Sequence, residues 1–131
     1  MDLKTELKNW QKEKGKIDNL DILLVEMLQN IGSVDAELRD NLIYSTFCDL
    51  IIENKLSPSQ MKEILFKCLS EKFLFKGIGE KGTDSVFTRS FSSLVIALIV
   101  GKDKTERFLD KQSLEEIYDK TLLYSKEVYC V

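Results

Sequence analysis

Residues 79–91 read Gly-Glu-Lys-Gly-Thr-Asp-Ser-Val-Phe-Thr-Arg-Ser-Phe and run directly into an apolar block over 94–100. A polar turn marked by Gly79 and Gly82 gives way to a helix-length segment, dotted with serine at first and then almost wholly apolar. Ordering such a segment costs conformational entropy that only burial on several sides offsets. It therefore predicts the central buried helix of an all-α domain, beginning near Asp84 and ending by Gly101, with Arg89 as its one arginine.

Leu3, Leu7 and Trp10 keep helical spacing over residues 3–14, and Gly15 follows as a stop signal. A second helix is expected over 19–30 and a third over 34–54, where Ser33 and Asp35 offer caps and Asp35 and Glu37 suit the helix dipole. Ser57-Pro58-Ser59-Gln60 is a capping box with proline in the first turn. The helix it starts should keep its period to about Lys76. A short helix at 105–109 and a last one over 113–129, with Ser113 and Glu116 as a second capping box, complete the series. Helices joined by short turns predict stacked hairpins, an incomplete armadillo- or HEAT-like α-α superhelix, with an irregular bundle as the alternative. The 131 residues form one domain, 1–131.

The chain has no histidine and a net charge of −3. The charge argues against a nucleic-acid partner, and the missing histidine against a zinc site or a serine–histidine nucleophile. Cys48, Cys68 and Cys130 lie among apolar neighbours without C-x-x-C spacing, as buried thiols of a reducing cytoplasm would. No leader is visible, and the longest apolar run, 94–100, is far short of the roughly 20 residues of a membrane span. No metal, cofactor or membrane contact is expected.

Residues 77–82 match G-x-G-x-x-G, but that fingerprint needs a strand before it and a helix opening inside it. Here a capped helix precedes it and the next helix starts after the third glycine, so a helix-ending turn is expected. Serines 85, 90, 92 and 93 have no base and read as small residues that let helices approach. Glu115 and Glu116 read as a solvated helix start, and 102–106 as a solvated loop. Arg89, half-buried among apolar residues, needs an acid. Asp40 shares a helix face with Tyr44, Phe47 and Ile51 and is the expected partner, with Asp84 and Glu37 as alternatives. The pair is expected to fix helix register, and the other reading is an anion site near Arg89 and the 77–84 turn.

Ile31-Gly32-Ser33, the run from Asp35 to Phe47, and Gly79-Glu80 with 83–91 and Leu94 together resemble an uncharacterised bacterial family, domain-of-unknown-function family 2785. The resemblance spans residues 20–110 and is to the N-terminal half of a domain about twice this length. The tryptophan- and histidine-containing motif of the family's second half does not occur here. The resemblance implies an α-α superhelix in a bacterial cytoplasm and carries no catalytic residue. The expected role is an interaction or scaffold module, leaning away from an enzyme. Residues 128–131 make a poor polar cap, so self-association through helix 113–129 is expected.

Overall fold

Asp2 accepts a hydrogen bond from the Thr5 amide (2.8 Å) and so caps the first helix, α1 (Leu3–Glu13). Lys14, in a left-handed conformation (φ 54°), ends it one residue before the glycine expected to do so. The second helix, α2 (Leu20–Gln29), follows the expected span. The computed structural model describes residues 2–15, 17–80 and 83–129, the side chains of 128 and 129 apart.

Where one helix was expected over 34–54, the backbone forms a π-helical segment (Glu37–Tyr44) that passes into α3 (Ser45–Ile52). Asp35 caps its start, accepting from the Glu37 and Leu38 amides at 3.1 and 3.3 Å. Arg39, Leu42 and Ile43 are the buried residues of the segment. The apolar spacing of this stretch is satisfied by either helix type, which is why sequence period did not separate them.

The Ser57 capping box forms as its residues require: Ser57 Oγ accepts from the Gln60 amide (3.1 Å), and Gln60 Oε1 accepts from the Ser57 amide (2.9 Å). The helix it opens, α4 (Pro58–Cys68), stops well short of Lys76. Ser70 Oγ donates to the Lys67 carbonyl (2.6 Å), and the Leu74 amide reaches back to Cys68 O (3.0 Å). Residues 69–79 therefore turn repeatedly, and they still bury Leu69 and Leu74 in the core. The helical period persisted in the sequence because these residues serve the same core without being helical.

The long helix α5 (Ser85–Thr105) passes through Gly101 without a break. One glycine costs a helix only about 1 kcal/mol, which neighbouring contacts override. Residues 102–105, expected as a loop, are helical, and Lys102 pairs with Glu106 at 3.4 Å. The short helix at 105–109 does not form. Asp110 Oδ1, in place of Ser113, caps α6 (Lys111–Tyr129) by accepting from the Ser113 amide (2.8 Å). No β-strand occurs among the described residues, so the chain is all-α.

α5 packs closely on α3 and α4, while α1 packs on α2 and the π segment. The core is one cluster in which every element takes part, with Leu7, Met27, Ile43, Phe47, Leu65, Cys68, Val95 and Ile99 fully enclosed. α5 is not buried all round. Thr88, Ser92, Val95, Ile96, Ile99 and Asp103 face inward, whereas Val86, Leu94 and Ala97 are exposed. By length and composition α5 is apolar enough to cross a membrane, a test that core helices of globular domains also pass.

The serines of α5 divide by role. Thr88 lies so close to Gly32 that a Cβ there would sit 1.9 Å from Thr88 Oγ1, so glycine is what admits this contact. Ser92 is fully buried, and among the described residues its hydroxyl has no hydrogen-bond partner. An unsatisfied buried hydroxyl costs about 1–3 kcal/mol. Ser92→Ala is therefore expected to stabilise the fold by about 1 kcal/mol, read as a higher urea midpoint with an unchanged slope. A lower midpoint would mean the hydroxyl has a partner.

Candidate functional site

The buried arginine of this chain is Arg39, not Arg89. Arg39 is 9% exposed and carries the π segment against α5. Its guanidinium lies 4.1 Å from the ring centroid of Phe87 and 5.3 Å from that of Phe91. Nε donates to Asp40 Oδ1 (2.8 Å) and an Nη donates to the Ser33 carbonyl (3.0 Å). Tyr44 closes the cluster with its ring edge-on to Phe91 at 5.9 Å. A planar cation stacked on aromatic faces and forked onto a carboxylate is an arrangement that arginine makes and lysine does not. Its donors are engaged within the fold, so its chemistry is fastening.

The four residues expected to form a site are not brought together. Arg89 donates to the Lys76 carbonyl (2.7 Å) and to Ser85 Oγ (3.0 Å), tying α5 to the 69–79 turns. The expected Asp40–Arg89 pair does not form, because Asp40 is taken by the arginine next to it in sequence. Glu37 pairs with Lys4 (2.8 Å) and Lys8 (3.2 Å) of α1. Asp84 precedes α5 without a side-chain capping bond. The two Glu37 pairs join α1 to the π segment, and Lys4 also reaches Asp35, the cap of that segment, at 2.9 Å.

Residues 77–80 form turns that no strand precedes, as expected of a helix-ending segment. Gly77 and Gly79 adopt positive φ (58° and 89°), a region that favours glycine. Lys81 and Gly82, the rest of the glycine motif, lie outside the described residues. Cys48 and Cys68 are free thiols, half-buried and buried, and Cys130 lies outside the described residues. Burial pushes the Cys68 thiol up to about 12.

Asp103 is a second buried charged group that sequence reasoning missed. It is 1% exposed and its Oδ1 accepts from the Phe108 and Leu109 amides, each at 2.9 Å. Oδ2 pairs with Arg107 at 3.1 Å. Burial works to raise its pKa, but the two amides and Arg107 together outweigh it and hold the carboxyl below its ordinary value. It ties down the turn between α5 and α6. An acid inside a charged stretch gives no sequence signal for burial.

α6 is the least covered helix. Ser113 and Ile117 are its buried residues, and Tyr124 meets Phe75 edge-on at 6.0 Å. Its outer side carries Leu114, Tyr118 and Leu122 in one row, 36, 66 and 43% exposed, with Leu123 beside them at 44%. The Val128–Val131 end on which the expected poor cap rested lies outside the described side chains.

No curated protein and no solved structure matches this chain. A family model described as protein of unknown function (DUF2785) matches residues 74–128, less than half of the 131 residues. The match falls on the C-terminal part, from the turns before α5 to α6, and corrects the assignment of residues 20–110 to an N-terminal half. The family that the motifs resemble is thus the family whose model matches residues 74–128.

Proposed function

We propose that this chain is a helical interaction module without catalysis of its own, which pairs with a second copy through α6. The apolar row Leu114–Tyr118–Leu122 carries this reading. Lys111, Glu115, Asp119, Lys120 and Lys126 flank the row with both signs of charge, so no single-sign field opposes a second copy. Full burial of large apolar side chains is worth about 1.5–3 kcal/mol each. Four partly exposed ones from each copy supply on the order of 10 kcal/mol, within the range that association costs. The pair is accordingly a concentration-dependent dimer.

A module of this kind suits hairpins stacked as an α-α superhelix, with the outer row of α6 left uncovered by the other helices. The titratable groups also support a non-catalytic role. Hydrogen bonds from Lys4 lower the pKa values of Asp35 and Glu37, and those from Ser113 lower that of Asp110. With Asp103 lowered and Cys68 raised, these groups are moved away from the neutral range where a general acid or base works best. The free thiols fit a bacterial cytoplasm. Arg89, with an Nη engaged by Lys76 and Ser85, does not favour the anion-site reading.

Tyr118→Lys places a charge in the middle of the row and is expected to weaken the dimer about 100-fold or more, measured by sedimentation velocity. Truncation after Leu109 is expected to give a monomer or an unfolded chain. A folded dimer that survives that cut would overturn the interface.

A further inference from the structure

A groove of about 440 Å³ runs between α3 and α5, with Ile51 of the core among its lining residues. Its walls are Ile52, Leu94 and Leu98, and its floor is lowered by Ala97 and Gly101. A Cβ built on Gly101 would meet no atom within 4 Å, so the space above the floor is open. That volume lies in the range of small-molecule sites, which are mostly apolar with a few placed polar groups. Tyr44, Lys102 and Thr105 supply those groups.

The charge of the lining decides the class of occupant. Among the described residues, Lys102 is the one charged residue that lines the groove, in a chain whose net charge is −3. Its side chain is 11% exposed, so the stem is held against the groove wall. Among the described residues its ammonium pairs with Glu106, at 3.4 Å, and that carboxylate is 64% exposed. An exposed acid is a weak competitor, because such pairs contribute little in water. A ligand carboxylate entering with an apolar tail would take the ammonium in a less hydrated setting and cover the exposed faces of Ile52 and Leu94.

We infer that the α3–α5 groove binds a small amphipathic carboxylate, with its tail over Ala97 and Gly101 and its head at Lys102. The inference does not depend on α6 or on dimerisation.

Decanoate below its micellar concentration is the probe, titrated calorimetrically into the full chain, with decanol as the uncharged comparison. Gly101→Leu fills the floor and is expected to weaken decanoate at least about tenfold. Lys102→Met removes the charge and should weaken decanoate about tenfold while leaving decanol unchanged. Gly101→Leu improves helix propensity, and far-ultraviolet circular dichroism checks that both variants are folded. Absence of decanoate binding to the unmodified chain overturns the proposal. So does binding that Gly101→Leu leaves intact, or equal weakening of both probes by Lys102→Met.

Discussion

Arg39→Ala is expected to destabilise the fold by about 3 kcal/mol, a fall in Tm of about 10 °C for a domain of this size. The loss has three sources. The guanidinium leaves the faces of Phe87 and Phe91, which are worth about 0.5–2 kcal/mol as cation–π contacts. The Ser33 carbonyl and Asp40 lose their donor. The stem leaves a gap between the π segment and α5, since Arg39 is nearly buried. Arg39→Lys keeps the charge but loses the planar stack and the fork, so it should recover less than half of the loss. Arg89→Met offers the contrast: its partners are a turn carbonyl and a serine, and about 1 kcal/mol is expected. Equal effects at 39 and 89, measured by urea denaturation, would contradict the assignment of Arg39 as the buried cation.

Asp103→Ala is expected to cost about 3 kcal/mol, because one carboxylate oxygen satisfies two amides, that of Leu109 being buried. Arg107 is 72% exposed and adds little. Asp103→Asn keeps an acceptor at Oδ1 and should cost only about 1 kcal/mol. The pH dependence has a definite sign. The folded carboxyl has a pKa below its unfolded value of about 3.9, so its contribution is full above that value. It is lost as pH falls through the folded pKa. Stability measured between neutral and acid pH should therefore fall less steeply for Asp103→Asn than for the unmodified chain. Parallel acid limbs would show that Asp103 is not held as a carboxylate by those amides.

Local chemistry was legible where it is local in sequence. The Ser57–Gln60 box and the start of α5 near Asp84 both depend on neighbours along the chain. Arg39 could not be told from Arg89 in the same way, because its environment is made by Phe87 and Phe91 from another helix. Asp40 was identified as an acid beside the core, but its partner is the adjacent residue, which sequence spacing does not bring forward. The end of α4 was hidden because Phe73, Leu74 and Phe75 stay packed against or within the core after the helix has stopped. The resemblance rests on motifs between Ile31 and Leu94, while the family model matches from Leu74 onward, so the two overlap mainly along α5. That helix, its turn and α6 are the parts of the chain the family match covers.

The most direct test of the interaction-module reading is the molar mass of the intact chain by light scattering over a concentration series. The apolar row on α6 predicts a mass that rises from 15.1 kDa towards twice that value as concentration increases. The same series on Tyr118→Lys should stay at the monomer mass. A compact monomer at every concentration for both chains would contradict the account, and would mean that Leu114, Tyr118 and Leu122 face water in the working protein.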